Sequence, residues 1–532
     1  TTGGAVTVTA GDVTSTGNTA IVARQNNAAG TGTIDVTAGN VSGTTGIEAT
    51  NAGTGTTTVT ANGTVTGTVA EGIRATGGGA VNVVVAKTVT GATTGLLLTG
   101  GSGGTGNISV TGTGGFAGGT GNAIDIQNKG SGTVTVNISG ASSSTAGEGI
   151  TVRDTAAGGT ISVTTGAVTA LTAGKDGIDV QAQSLTGNVT VVANGAVKAG
   201  NAGIVAAILN AGSTGNIDVT ANSTIDARFG VDAENFGSGS TTVKTVGPVN
   251  VTTGNGIFAL TTGGAVTVTA GDVTSTGNTA IVARQNNAAG TGTIDVTAGN
   301  VSGTTGIEAT NAGTGTTTVT ANGTVTGTVA EGIRATGGGA VNVVVAKTVT
   351  GATTGLLLTG GSGGTGNISV TGTGGFAGGT GNAIDIQNKG SGTVTVNISG
   401  ASSSTAGEGI TVRDTAAGGT ISVTTGAVTA LTAGKDGIDV QAQSLTGNVT
   451  VVANGAVKAG NAGIVAAILN AGSTGNIDVT ANSTIDARFG VDAENFGIGS
   501  TTVKTVGPVN VTTGNGIFAL TTGGAVTVTA GD

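Results

Sequence analysis

The chain has 532 residues, of which 107 are glycine, and it contains no Cys, Met, His, Trp or Tyr. Without Cys and His it has no thiolate or imidazole metal ligand, no cysteine nucleophile and no imidazole base. The net charge of −9 argues against nucleic acid as a partner. No apolar run approaches the ~18 residues that a membrane helix needs, so we also expect no membrane insertion of this segment.

Short runs of alternating residues follow one another along the chain. In one representative stretch they are 47–49, Thr57–Ala61 and Val65–Gly67, separated by Gly, Asn, Ser or Thr. Period-2 alternation between turn residues is typical of β-strands. Because no segment has a sustained 3.6-residue period, we expect almost no helix.

The first run of each such triplet starts at an aliphatic residue that recurs about every 26 residues. These residues are Ile21, Ile47, Ile73, Leu96, Ile124, Ile150, Ile178, Ile204, Val231, Ile257 and Ile281. Strands this short do not form a sheet alone, so each must pair with its equivalent in the next coil. The sequence therefore predicts an all-β parallel β-solenoid. We expect a three-sided right-handed β-helix with about 26 residues per coil and ten coils per 260-residue repeat.

The alternation also predicts which side chains fill the core and which residues form the corners. Ile34, Val36, Val81, Val83, Ile217 and Val219 are expected to point inward. Gly and Asn suit the φ > 0 positions of tight corners. The glycine-rich stretch 112–121 fits a widened corner.

A longer period of 260 residues repeats the whole pattern almost without change. The copies are residues 1–260 and 261–520, and 521–532 begin a third; the single difference that we find is Ser238 against Ile498. We expect one continuous rod with no linker between copies, because solenoids lengthen by adding equivalent units.

Two carboxylates are the candidates for a metal site. Glu148 and Asp176 hold the same position on adjacent coils, two residues before the aliphatic anchors, and Asp179 lies just beyond. Like charges this close need a hard cation such as Ca²⁺ or a basic neighbour, for which Lys175 and Arg153 are placed. We expect no cofactor, with calcium as the alternative.

Outward positions of the first run give two further expectations. Val205, Phe258 and Val282 would form an apolar patch for lateral contact, although isolated exposed apolar residues are also ordinary. Glu48 and Arg74 fall on adjacent coils and could pair.

An enzymatic site is the less favoured alternative. Asp125 and Asp179 are two coils apart on one face, with Thr151 between them, and this spacing approaches that of an inverting carboxylate pair. The chain has no His or Tyr and no basic cluster for an acidic sugar. We therefore expect no enzyme, and a carbohydrate-active β-helix stays the third choice.

The repeat style is similar to that of a known group of proteins. The motifs GTVTGTVAEGIRAT (63–76), TTGAVTALTAGKDGIDVQA (164–182) and GNIDVTANSTIDARFGVDA (215–233) resemble the repetitive passenger regions of bacterial autotransporter adhesins and giant surface β-solenoid proteins. The resemblance covers the whole chain and implies export to the bacterial cell surface, with a role in adhesion, aggregation or surface coating. It assigns no functional residue.

These observations favour a structural extracellular protein, the shaft of a cell-surface filament or stalk. The alternative is an autotransporter-type adhesin that mediates attachment or cell–cell aggregation. The expected partners are further copies, end to end or side by side, with a surface or host ligand in the adhesin case.

Overall fold

The computed structural model describes residues 1–101, 104–156, 158–361, 364–415 and 418–531. It contains two compact units, Thr1–Gly264 and Ala265–Asp532. Asp532, the last residue of the expected third copy, lies outside the described residues. The described residues form strands and loops without a helix, as the absence of a 3.6-residue period predicts.

The strands of the first unit form three sheets. The first sheet comprises β1 (Val6–Ala10), β4 (Ile34–Ala38), β7 (Thr57–Ala61), β10 (Val81–Val85), β13 (Ile108–Gly112), β16 (Val134–Ile138), β19 (Ile161–Thr165), β22 (Val189–Ala193), β25 (Ile217–Ala221) and β28 (Thr241–Thr245). The second comprises β2 (Val13–Thr14), β5 (Val41–Gly43), β8 (Val65–Gly67), β11 (Val89–Gly91), β14 (Phe116–Gly118), β17 (Ser142–Ser144), β20 (Val168–Ala170), β23 (Val197–Ala199), β26 (Ile225–Ala227) and β29 (Val249–Val251). The third comprises β3 (Ile21–Gln25), β6 (Ile47–Asn51), β9 (Ile73–Gly77), β12 (Leu96–Gly100), β15 (Ile124–Asn128), β18 (Ile150–Asp154), β21 (Ile178–Ala182), β24 (Ala202–Ile208), β27 (Phe229–Asn235) and β30 (Ile257–Thr261).

The second unit has the same plan. Strands β31–β60 occupy the positions 260 residues further along the chain, except that β32 (Val273–Ser275) is one residue longer than β2, and β61 (Val526–Ala530) follows. Within each unit, three consecutive strands make one coil.

Every strand pairs in parallel with the equivalent strand of the neighbouring coil. Ile47 of β6 lies beside Ile73 of β9, and Val65 of β8 lies beside Val41 of β5. The fold is therefore a parallel β-solenoid of about 20 coils with three sheets. The three runs predicted at 47–49, Thr57–Ala61 and Val65–Gly67 correspond to β6, β7 and β8.

The core consists of stacked aliphatic side chains, as the alternation predicts. The six residues expected to point inward are all at most 1% exposed: Ile34, Val36, Val81, Val83, Ile217 and Val219. The glycine-rich stretch 112–121 corrects the expectation of a widened corner. It contains strand β14, whose Phe116 is fully buried in the core.

Most glycines serve a different purpose from the one that the sequence suggests. Among the described residues, positive φ occurs at only nine glycines and at no asparagine. Elsewhere, neighbouring coils approach so closely that a Cβ would collide with backbone. Gly132 is an example, because a Cβ there would overlap the carbonyl oxygen of Gly106.

These close approaches form two rows in the first unit. The first glycine row lies between the third and first sheets and comprises Gly32, Gly55, Gly79, Gly106, Gly132, Gly159, Gly187, Gly215, Gly239 and Gly264. The second glycine row directly precedes the third sheet and comprises Gly46, Gly72, Gly95, Gly149, Gly177, Gly203 and Gly230. The absence of side chains lets the backbones stack at sheet spacing around these corners.

Buried amides hold the corner that follows the third sheet. Asn235 donates from Nδ2 to the carbonyl oxygens of Gly215 (2.9 Å) and Ser240 (3.3 Å), and its Oδ1 accepts from Gly237 N (3.0 Å). Asn51 and Asn128 bind their own loops in the same way. Each amide thus satisfies loop backbone groups that would otherwise be unpaired.

Within the described ranges, no helix combines the length and hydrophobicity required to cross a membrane.

Candidate functional site

Charged and polar side chains collect on the outer face of the third sheet. The second and fourth residues of each five-residue strand point outward there, as the alternation predicts. Yet Thr151 of β18 and Asp179 of β21 are only 2% and 3% exposed. Side chains from the loops that precede these strands cover them, so this face shields part of its polar groups from solvent.

Asn122 and Glu148 belong to those loops and bind Thr151. Asn122 Nδ2 donates to Thr151 Oγ1 (3.0 Å), and Thr151 Oγ1 donates to Glu148 Oε2 (2.6 Å). Asn122 Oδ1 in turn accepts from Glu148 N (2.9 Å). The three residues, on adjacent coils, form a closed hydrogen-bonded triangle.

The two calcium candidates lie close together. Carboxylate oxygens of Glu148, Asp176 and Asp179 are all within 4.8 Å of one another. In the second unit, Glu408, Asp436 and Asp439 repeat the cluster. Three carboxylates at this separation provide the oxygen donors that a hard cation prefers.

Protein groups already bind each of these carboxylates. Asp176 Oδ1 accepts from Asn201 Nδ2 (2.8 Å) and Ala202 N (2.9 Å). Asp179 Oδ2 accepts from Arg153 (2.7 Å) and its Oδ1 from Gln181 (3.0 Å). Of the two basic neighbours considered from the sequence, Arg153 makes the ion pair; among the described residues, Lys175 makes none.

Asp125 and Asp179, the carboxylates of the enzymatic alternative, lie on this face with Thr151 paired between them. Burial raises the pKa of both carboxyl groups, and the positive charge of Arg153 partly offsets the effect. Because Arg153 binds Asp179 directly, the arrangement is that of a buried ion pair with a second acid nearby.

The apolar candidates differ in exposure. Val205 and Phe258 are half-buried on this face, whereas Val282 is only 2% exposed. Phe518, the equivalent of Phe258 in the second unit, is 38% exposed. The accessible apolar surface here is thus centred on the phenylalanine.

The expected pair of Glu48 with Arg74 is replaced by another. Glu48 Oε1 lies 2.6 Å from the guanidinium of Arg24, which reaches it diagonally from the preceding coil. Arg74 lies directly beside Glu48 in register but makes no ion pair among the described residues. The diagonal neighbour has the longer reach along the strand and wins.

A recess in the same face was not anticipated from the sequence. Its volume is about 220 Å³, and it is lined by Phe229, Val231, Asp232, Glu234, Asn255 and Phe258. The equivalent residues of the second unit line a recess of about 240 Å³. The only sequence signal was the alternation that places Asp232 and Phe258 outward on adjacent strands.

Both acids of the recess have an altered proton affinity. Burial, followed by the negative charges of Glu234 and Asp176, raises the pKa of Asp232 to about 7. Burial also raises the pKa of Glu234. Oδ1 of Asp232 is buried without a hydrogen-bond partner.

Comparison of the chain with protein-family models, curated proteins and solved structures gives no match.

Proposed function

We propose that the chain is a structural extracellular protein whose tandem β-solenoid repeats form the shaft of a filament or stalk on a bacterial cell surface. The proposed geometry is a three-sided right-handed β-helix with about 26 residues per coil and ten coils per 260-residue repeat. Paired residues support this coil length, since Ile21 lies beside Ile47 and Ile47 beside Ile73.

The observation that carries the proposal is that equivalent strands pair in register in coil after coil within each unit. The stability of such a fold is approximately a sum of interfaces between neighbouring coils, so repetition extends it without a new core. The low content of charged residues, 8%, and the absence of Cys and Met suit a surface exposed to oxidants and changing pH.

Electron microscopy of the material as it leaves the cell tests this proposal. Ten coils at a strand spacing of ~4.8 Å predict thin filaments with an axial repeat of about 48 Å. Compact particles without axial periodicity would contradict it. Rods of one fixed length that end in a distinct head would favour an adhesin instead.

The adhesin alternative has its own supporting observation, the recess beside Phe258. Replacing Phe258 and Phe518 by serine should then weaken attachment or cell–cell aggregation. Phe236 and Phe496 provide the matched control, because they are about as exposed (37% and 36%) as Phe518 and do not line the recess. Equal attachment by both double variants would count against a role for this surface.

A further inference from the structure

The recess between β27 and β30 owes its shape to small and large residues on neighbouring coils. Asp232 lies directly beside Phe258 in the parallel register, and Glu234 lies beside Ala207 of the preceding coil. The short alanine leaves space next to the glutamate. The carboxyl groups therefore face a hollow in the outer surface of the sheet.

A glycine fixes the second aromatic wall. A Cβ on Gly254 would overlap the ring of Phe229, and the same holds for Gly514 and Phe489 in the second unit. The ring can lie against this loop only because the loop has no side chain there. Two phenyl rings, of Phe229 and Phe258, thus line one recess in each unit.

The negative charge in the recess has no protein partner of opposite sign. Among the described residues, neither Asp232 nor Glu234 forms an ion pair, and Asp232 Oδ1 has no hydrogen-bond partner. Arg228 is close in sequence but bound elsewhere: its Nε donates to Thr253 Oγ1 (2.9 Å), and its guanidinium carbon lies 5.9 Å from the centre of the Phe229 ring. Burial and mutual repulsion raise the pKa of Asp232 to about 7, so a bound cation would favour its ionised form.

We propose that each of these two recesses binds an organic ammonium group. The carboxylates of Asp232 and Glu234 would supply charge-assisted hydrogen bonds, and the faces of Phe229 and Phe258 would supply cation–π contacts. A calcium ion is a poorer occupant, because it takes six or more oxygen ligands and two of the walls are phenyl rings. This inference does not depend on the filament proposal.

The ammonium group could belong to a free amine or to a lysine side chain of a partner protein. The shared chemistry is an alkylammonium head about 5 Å across, which a recess of about 220 Å³ admits together with a short alkyl stem. Suitable probes are n-butylammonium chloride for the free amine and N-acetyl-lysine methylamide for the side chain.

Fluorine NMR of the full chain labelled with 4-fluorophenylalanine provides a direct readout, because the chain has only eight phenylalanines. Titration with n-butylammonium chloride should shift the resonances of Phe229, Phe258 and their equivalents saturably. Phe236 is the internal control, since it is as exposed as Phe229 (37%) but outside the recess; Phe116 reports on the core. Single Phe→Leu variants assign the signals.

The probe that binds identifies the source of the ammonium group. Saturation by both probes indicates that a lysine side chain can enter, and saturation by butylammonium alone indicates a free amine. No selective shift with either probe up to about 100 mM, far above a millimolar dissociation constant, overturns the proposal. So does a calcium chloride titration that shifts the same resonances at lower concentration than the amines.

Charge-removing variants separate a specific site from general attraction to an acidic chain. Asp232→Asn together with Asp492→Asn should weaken amine binding about tenfold or more, the value of a lost charge-assisted hydrogen bond. Asp218→Asn with Asp478→Asn removes the same charge from the exposed face of the first sheet and should leave binding unchanged. Equal weakening by both pairs overturns the proposal.

Discussion

Arg153 binds Asp179 across neighbouring coils at 2.7 Å, and the side chain of Asp179 is only 4% exposed. The arginine itself is 41% exposed, so the pair joins a solvated cation to a buried anion. Burial raises the pKa of Asp179 and the charge of Arg153 lowers it. The ionised carboxylate therefore depends on this one arginine for compensation.

Replacing the arginine should be costly. Arg153→Gln with Arg413→Gln leaves a buried carboxylate unpaired, and we expect the local unfolding free energy to fall by about 3 kcal/mol. Hydrogen exchange followed by mass spectrometry measures this loss in the peptides around Asp179. Both copies must be changed, because most of their peptides are identical in sequence.

The exposed pair supplies the matched control. Arg24 pairs with Glu48 while 54% exposed, so Arg24→Gln with Arg284→Gln should cost about 0–1 kcal/mol. Equal losses from the two double variants would show that the burial of Asp179 does not determine the cost.

The first glycine row should tolerate no side chain. Gly132→Ala with Gly392→Ala places a methyl group on the carbonyl of the preceding coil, and we expect local destabilisation of about 3 kcal/mol as that backbone is displaced. Faster amide exchange in the loops on both sides is the measurement.

Gly212 tests whether crowding, and not the loss of glycine as such, causes this effect. A Cβ at Gly212 would make only ordinary contacts, 3.4 Å from Asn210 Oδ1 and 3.7 Å from Leu185 Cδ2. Gly212→Ala with Gly472→Ala should leave exchange unchanged or slower. Acceleration equal to that of the Gly132 variant would refute the steric explanation.

The corner amides should be as important as core side chains. Asn235→Ala with Asn495→Ala removes bonds to Gly215 O, Ser240 O and Gly237 N and their equivalents. The expected loss is about 1–3 kcal/mol, because buried backbone groups remain unpaired. Local amide exchange should rise in the loop that follows β27.

An exposed asparagine provides the comparison. Asn222 and its equivalent Asn482 donate only to another asparagine at the surface. Changing both to alanine should alter exchange very little, and an effect as large as that of the Asn235 variant would contradict the role assigned to the corner.

Asp154 makes stability depend on pH. It is 2% exposed, and burial raises its pKa from the model value of 3.8 to about 6. A group whose pKa is higher in the folded state stabilises the fold when protonated, so its contribution is lost as pH rises through about 6. Asp154→Asn with Asp414→Asn should therefore stabilise the chain at pH 8 and have little effect at pH 5.

Thermal unfolding followed by circular dichroism measures this difference, which we expect to be about 1–3 kcal/mol at pH 8 for each site. Asp35→Asn with Asp295→Asn makes the same change in charge on the exposed face of the first sheet. A gain for both pairs at pH 8 would point to net charge and away from the buried carboxyl group.

Strand positions could be predicted because one local rule repeats. Ile47, Thr57 and Val65 each begin a run of alternating residues, and equivalents recur in the following coils. Parallel pairing of equivalents follows from that recurrence alone. Phe116 escaped the rule because β14 has only three residues, too few to show alternation among the surrounding glycines.

Features that depend on contact between coils could not be predicted in the same way. The purpose of Gly132 is set by the carbonyl of another coil, while its own sequence context suggests only a bend. The burial of Thr151 and Asp179 comes from loops whose course alternation does not define. For the same reason, Glu48 pairs with Arg24 although Arg74 is the neighbour in register.

The glycine rows restrict how the length of such a chain can change. An insertion of a few residues within a coil would move every later glycine out of line with its row and put a side chain against a carbonyl. Gain or loss of a whole coil preserves the alignment, and so does gain or loss of a 260-residue copy. Length polymorphism among natural variants should therefore occur in whole coils or whole copies, with smaller insertions confined to loops that bulge away from the rows.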